Sequence, residues 1–271
     1  MKNKQIVKIF GGLGNQLFQY SFALFLKKNL KNEISLDLNE FRYIKHHSGI
    51  ELNKLLKVDF RSLNFVTHIL YKLLKPILKK TNFYFEQQHS SINDYPQKKE
   101  IHSFKYFEGY WQNLNLVELI IKDLRKVIRP IKLKTKISLD INAVAVHVRR
   151  GDYLSNQSMY GNICDLEYYK RAIKKLEKND LEYHYYIFSD DYSWCYKNFD
   201  FLKIKTFVNF QDDVVDDFYL FSKFQNKIIS NSTFSWWATM INNNNKIVVC
   251  PKKWNNEIDY NNLIPENWIK I

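Results

Sequence analysis

The chain has 271 residues, 45% of them hydrophobic and 16% aromatic, with a formal net charge of +13. Its 18 Tyr, 20 Phe and 6 Trp against only 7 Gly and 5 Pro exclude disordered, linker-like and collagen-like chains. No uncharged apolar run reaches the ~18 residues of a transmembrane helix, and Cys164, Cys195 and Cys250, odd in number and without C-x-x-C spacing, argue against a disulfide framework and for a reducing cytosol.

Apolar runs of strand length alternate with longer helical patterns, which predicts an α/β protein with parallel strands. Ile6–Phe10 is the first strand, too short and too charged for a secretory signal. Gly11-Gly12-Leu13-Gly14 breaks it, Asn15–Leu30 follows as a helix, and Ile34–Leu38 is a second strand. From Phe41 to Gln97 the pattern is weak and helical in part. Within it, Phe65–Lys80 carries Val66, Ile69, Leu70, Leu73, Leu74, Ile77 and Leu78 at helical spacing, with His68, Lys72, Lys75, Lys79 and Lys80 between them. Such a basic amphipathic helix is either a surface helix with a solvated lysine face or one that lies on anionic lipid; Pro76 kinks or ends it. A second basic concentration, seven Lys/Arg over Lys122–Lys136, runs into the weakly patterned stretch Pro130–Asp140.

Ala143–Val148 is a clean buried strand, followed by a helix at Leu166–Glu177 and a strand at Tyr185–Ser189. Asp213–Phe224 reads as a helix, Lys227–Ser230 as a short strand, Ser235–Ile241 as a helix, and Ile247–Cys250 as the last strand, stopped by Pro251. The run Asn242–Asn245 is a turn, and no internal repeat is evident. The expected organisation is two β/α halves, about 1–135 and 140–250, with a tail at 251–271 and a ligand cleft between the halves. The positive charge suits nucleic acid, an anionic membrane or a phosphorylated small molecule; with no nucleic-acid-binding motif present, a nucleic-acid partner is not expected.

Four motifs carry the chemistry. Gly11–Gln16 sits where a strand hands over to a helix, so the backbone turns sharply and Asn15 and Gln16 offer amides at a helix start. It is neither a dinucleotide fingerprint nor a Walker loop, and a bare turn would look the same. His147-Val148-Arg149-Arg150-Gly151-Asp152 ends the strand Ala143–Val148. Strand alternation puts His147 and Arg149 on one face, and a guanidinium suits a phosphate; a structural Arg–Asp network is the alternative. Asp190 and Asp191 end the next strand, placed for nucleoside hydroxyls or base edges or, instead, for a helix N-cap; an adjacent pair lacks metal-ligand spacing, and no metal is expected. Ser230–Ser235, including Ser232, Thr233 and Phe234, clusters short polar side chains at a helix start, an anion cradle or a simple cap, with Asp217 upstream on a helix facing the same cleft.

Taken together and in order, Gly11–Tyr20, Glu108–Gln112, His147–Tyr153, Phe188–Asp191, Asp216–Ser222 and Ile228–Trp237 resemble the family 11 glycosyltransferases, the α-1,2-fucosyltransferases. The resemblance implies a GT-B-like fold, two Rossmann-like domains facing a central cleft, with acceptor on the N-terminal side and GDP-fucose on the C-terminal side. It implies inverting transfer of L-fucose from GDP-β-L-fucose to O2 of a galactose in a glycan acceptor, without metal or other cofactor. By motif, Arg149 matches the arginine holding the donor diphosphate, with Arg150, His147 and Asp152 in the same element. Asp190, Asp191 and Asp217 match positions that shape the guanosine site, and Ser232, Thr233, Phe234 and Ser235 the segment lining the nucleotide. Asn15 matches the asparagine facing the sugar from the other domain. Asp152 and Glu108 are candidates for the general base. The chain begins at its first strand, without the membrane helix of animal members, so a bacterial cytoplasmic enzyme is expected. A lipid-linked acceptor would give the Phe65–Lys80 helix a role at an anionic inner leaflet. Transfer with α-1,6 or α-1,3 linkage, or a catalytically silent sugar-nucleotide-binding protein, are the competing readings.

Overall fold

The computed structural model describes residues 4–43, 49–58, 60–87, 101–133, 137, 139–177, 181–209, 213–260 and 262–271. Parts of the weakly patterned 41–97 and 130–140 stretches therefore lie outside the described residues. The chain divides into two compact units, Met1–Arg129 and Pro130–Ile271.

The first unit runs β1 (Lys4–Lys8), α1 (Leu13–Leu30), β2 (Glu33–Asp37), α2 (Leu52–Leu55), β3 (Arg61–Ser62), α3 (Phe65–Leu78), β4 (Tyr84–Glu86), β5 (Tyr106–Glu108) and α4 (Leu114–Val127). Its strands form one parallel sheet in the order β3-β2-β1-β5-β4. The strand β1 gives way to α1 through Gly11, whose φ of 75° lies in the left-handed region that favours glycine. Leu17, Phe18, Phe22, Ala23 and Leu26 are fully buried, which is why α1 is apolar on most sides rather than striped. Asn113 caps α4 by accepting from the Leu116 N–H at 3.1 Å.

The three-residue strands β4 and β5 show no alternation that a sequence pattern could register. Both read Tyr-Phe-Glu, and they pair in register: Tyr84 with Tyr106, Phe85 with Phe107, Glu86 with Glu108. The two tyrosine rings stack at 4.8 Å. Two carboxylates side by side at the sheet's carboxyl edge repel, and α3 answers them with Lys75, whose Nζ lies 2.7 Å from both Glu86 and Glu108. The helix α3 therefore faces the sheet with its polar side, His68 and Lys75, and turns Val66, Leu70, Leu73 and Ile77 outward. Four apolar side chains thus stand in solvent while Lys75 faces the sheet, and Lys72 remains exposed.

The second unit runs β6 (Ala143–Val148), α5 (Gln157–Tyr160), α6 (Leu166–Leu176), β7 (His184–Ser189), α7 (Tyr192–Asn198), β8 (Lys205–Phe207), α8 (Val214–Lys223), β9 (Asn226–Ile228), α9 (Thr233–Met240), β10 (Ile247–Cys250) and β11 (Ile269–Lys270). All six strands are parallel. Their spatial order β8-β7-β6-β9-β10-β11 is, in order of appearance, the 3-2-1-4-5-6 arrangement of dinucleotide-binding sheets. Every residue of β6 is buried, as a central parallel strand covered on both faces requires. Val144, Val146 and Val148 share one core with Tyr168, Tyr169, Ala172 and Ile173 of α6. The segment 251–271, expected as a tail, supplies β11: the Ile271 N–H donates to the Cys250 carbonyl (3.1 Å) and the Lys252 N–H to the Ile271 carbonyl (2.8 Å). No described helix is long and apolar enough to cross a membrane.

Candidate functional site

In an open parallel sheet, ligands bind beyond the carboxyl ends of the strands where the strand order reverses. In the second unit that point lies between β6 and β9. The chain there leaves β6 through His147–Asp152 and β9 through Ile229–Ser235. Two tyrosines of α6 hold the strand ends: Tyr169 Oη donates to the His147 carbonyl at 3.0 Å and Tyr168 Oη to the Ile229 carbonyl at 2.5 Å. Asp165 sets their helix by accepting from the Tyr168 N–H at 2.7 Å. Neither tyrosine was singled out from the sequence, where this segment read only as a helix.

His147 joins the two strand ends. Its Nδ1 lies 2.8 Å from Ser230 Oγ and 2.9 Å from Ser235 Oγ, and its ring stacks on Phe234 at 5.1 Å. Burial holds the imidazole well below its ordinary value; nearby Asp190 opposes this shift and Arg149 adds to it. Buried and neutral, His147 organises the site. Ser235, expected to line the nucleotide, is itself fully buried and spends its hydroxyl on His147 and the Ser232 carbonyl. Ser232 is the N-cap of α9, and Thr233 and Phe234 form its first turn, both half-buried.

Beyond β6 the arginines separate. Arg149 is held by Asp152 and Asp190, each 2.8 Å away, with its side chain 28% exposed. Arg150 binds Asp191 through Nε at 3.0 Å and lies over the Trp194 ring at 4.3 Å. Asp190 also accepts from the backbone N–H of Arg150 (2.8 Å) and Gly151 (3.2 Å), so it pins the turn after β6. Gly151 is needed here because a Cβ would stand 2.8 Å from Asp190 Oδ2. Asp191 caps α7 by accepting from the Trp194 N–H at 3.0 Å. The two adjacent acids thus serve the two adjacent arginines and the turn between them, and of the sequence's two alternatives, nucleoside contact or helix N-cap, Asp191 takes the N-cap.

Asp217 on α8 has a buried Oδ1 that accepts no hydrogen bond. Burial pushes its carboxyl up to about 7, helped by Asp216 and Asp213. Its neighbours Phe218 and Phe221 meet the rings of Phe234 and His147, which sets this turn of α8 beside the start of α9.

The first unit has its own reversal point, between β1 and β5. There Asn15, in the first turn of α1, accepts from Gln112 Nε2 at 3.0 Å. Gln16 is committed elsewhere, donating to the Gly11 and Gly49 carbonyls at 2.8 Å. A cavity of about 240 Å³ at this sheet's carboxyl edge is lined by Lys8, Tyr43, Tyr71, Lys75, Tyr84 and Glu108, among others. Burial opposes ionisation of Glu108, but Lys8, Lys75 and Tyr84 outweigh it and draw the carboxyl down to about 2. Glu108, a sequence candidate for the general base, stands here as the shared anion of Lys8 at 2.8 Å and Lys75 at 2.7 Å. Among the described residues, no group of three or more His, Cys, Asp or Glu is arranged to hold a metal ion.

A family model described as Glycosyl transferase family 11 matches residues 1–271. An alpha-1,2-colitosyltransferase of Escherichia coli is 30% identical over 291 residues, covering 98% of this chain and 98% of its own. The O-antigen biosynthesis glycosyltransferase WbnK of Escherichia coli is 28% identical over 303 residues, covering 96% of this chain and 98% of its own. Among solved structures, fucosyltransferase NodZ from Bradyrhizobium superposes with a TM-score of 0.53 at 11% identity, over 89% of this chain and 94% of that one, a likeness of fold.

Proposed function

The chain belongs to glycosyl transferase family 11, and from that premise we propose that it moves L-fucose from GDP-β-L-fucose to O2 of a galactose in a glycan acceptor, with inversion, on a GT-B-like scaffold. The observation that carries the reading is Arg149, a part-exposed guanidinium at the carboxyl end of β6 and at the reversal point of a dinucleotide-type sheet. As the donor's glycosidic bond breaks, charge collects on the β-phosphate of the departing GDP. A fixed guanidinium aimed at that phosphate stabilises the transition state more than the ground state. Asp190 is tied to two backbone N–H groups and stays as the support of Arg149. Asp152, 53% exposed, is the counter-ion that gives way to the diphosphate. Asp217 accepts from the base: guanine presents two adjacent N–H donors, and Oδ1 lacks one. Asn15, steadied by Gln112, acts on the sugar side. The reaction needs no metal in this reading, because the acids beside β6 and β7 already neutralise arginines.

The colitosyltransferase relative favours a second reading in which the donor sugar is colitose, the 3-deoxy counterpart of L-fucose. One experiment separates them. GDP-fucose and GDP-colitose are each offered with lactose, lacto-N-biose, N-acetyllactosamine and Galβ1,3GalNAc, products are followed by mass spectrometry, and linkage is fixed by methylation analysis. Turnover of GDP-fucose to a 2-substituted galactose, undiminished by EDTA, is expected. Turnover of GDP-colitose alone transfers the argument to that sugar, and a different linkage or a full requirement for a divalent cation overturns the corresponding part.

A further inference from the structure

We propose that the outward face of α3 is a membrane-docking surface that seats the enzyme on an anionic lipid leaflet. The face is apolar and continuous: Val66, Leu70, Leu73 and Ile77 recur at helical spacing and are 77%, 50%, 73% and 63% exposed. Its apolarity is not left over from a failed core contact. The opposite face is fully employed, with His68 on Asp37 at 2.7 Å and Lys75 on Glu86 and Glu108. The helix is therefore held in an orientation that turns its hydrophobic side away from the protein.

Two observations select lipid as the occupant. The first is charge. Between Glu51 and Glu86 the sequence holds one acid, Asp59, and seven Lys/Arg. Lys72 on α3 and Lys80 just beyond it are exposed, and α3 itself contains no acid. An apolar stripe framed by cations is the chemistry of a helix lying at the boundary between acyl chains and anionic headgroups. The second is size. The four side chains Val66, Leu70, Leu73 and Ile77 together expose accessible surface on the order of 450 Å², below the ~800 Å² per partner of a stable protein interface. A second copy of this chain seated on this stripe alone would bury less than a standard interface needs.

The same helix lines the cavity of the first unit through Tyr71 and Lys75. Docked lipid and cavity are then separated by no more than one helix diameter, about 10–12 Å. If that cavity takes the acceptor, a point that rests on the transferase reading, a lipid-linked glycan is presented from the leaflet on which α3 lies. The docking itself does not rest on that reading.

The test is flotation of the full chain with phosphatidylglycerol/phosphatidylethanolamine vesicles and with phosphatidylcholine vesicles, for the natural protein and for Leu70→Ser/Leu73→Ser/Ile77→Ser. Far-UV circular dichroism and the thermal midpoint show whether the variant is folded. The natural protein should float with anionic vesicles, weakly with neutral ones, and less at high salt. The triple variant should lose on the order of 100-fold in partitioning while remaining folded. Binding that the variant retains, or none to anionic vesicles, overturns the proposal. A dimer in sedimentation velocity that the variant dissolves also overturns it, in favour of a second copy. Should the variant misfold, Lys72→Glu/Lys80→Glu replaces it, with loss of anionic binding expected and unchanged binding overturning the proposal. Each outcome reads independently of sugar transfer, so failure of the transferase reading leaves this result standing.

Discussion

Two carboxylates share the Arg149 guanidinium, and they are not equivalent. Asp190 is fixed by the backbone of the turn it supports, whereas Asp152 sits three residues along the chain and mostly in solvent. Arg149→Ala should cost on the order of 100-fold or more in kcat, with thermal midpoint and circular dichroism near those of the natural protein; near-normal turnover would refute the diphosphate role. Asp217 gives a pH signature. Its carboxyl stands at about 7 in the folded chain against an ordinary 3.8, so the folded state binds more protons between those values. The sign follows: this group's contribution to stability is present below about 4 and is lost as pH rises through about 7. Asp217→Asn should flatten that part of the melting-temperature profile. A guanine base needs the ionised form, so GDP affinity by calorimetry should increase with pH through the same range in the natural protein and not in Asp217→Asn. The residue types at these positions were readable from the sequence. Their partners were not: that Asp190 would meet Arg149 and Asp191 meet Arg150 depends on the register of β6 against β7.

At the scale of elements, legibility followed length and burial. The strand β6 was expected at its observed bounds because six consecutive buried residues leave an unbroken apolar signal, and β10 for a similar reason. The strands β4, β5, β8 and β11 are two or three residues long and carry too few side chains to show a period. The repeated Tyr-Phe-Glu was the available signal for β4 and β5, though a tripeptide gains meaning only once the strands are known to pair. For α3 the periodicity was right but left two orientations open, because hydrophobic spacing does not report that Glu86 and Glu108 await Lys75. Glu108 tests this account. Its carboxyl is lowered to about 2 from an ordinary 4.5, so the stability it contributes is present above 4.5 and is lost as pH falls through about 2. Glu108→Gln should lower stability at pH 7 by about 2 kcal/mol in denaturant titrations, and the difference should shrink toward pH 2. A constant difference across that range would mean packing, not charge, is lost.

For the molecule as a whole, the family and the α/β class were legible because the motifs sit at strand-to-helix junctions, where chemistry constrains residue type more tightly than packing does. Ligand linkage offers a check that needs no acceptor: millimolar GDP should raise the thermal midpoint, since only the folded state binds it, and Arg149→Ala should blunt that rise. The closing of the second sheet by Ile269 and Lys270 has a consequence for anyone handling the protein. Those two residues shield β10, whose Ile-Val-Val run would otherwise present unpaired amides and carbonyls on a flat apolar border. Removal or displacement of those two residues would convert that border into a template for neighbouring chains, and turbidity would report the damage before any enzymatic assay did.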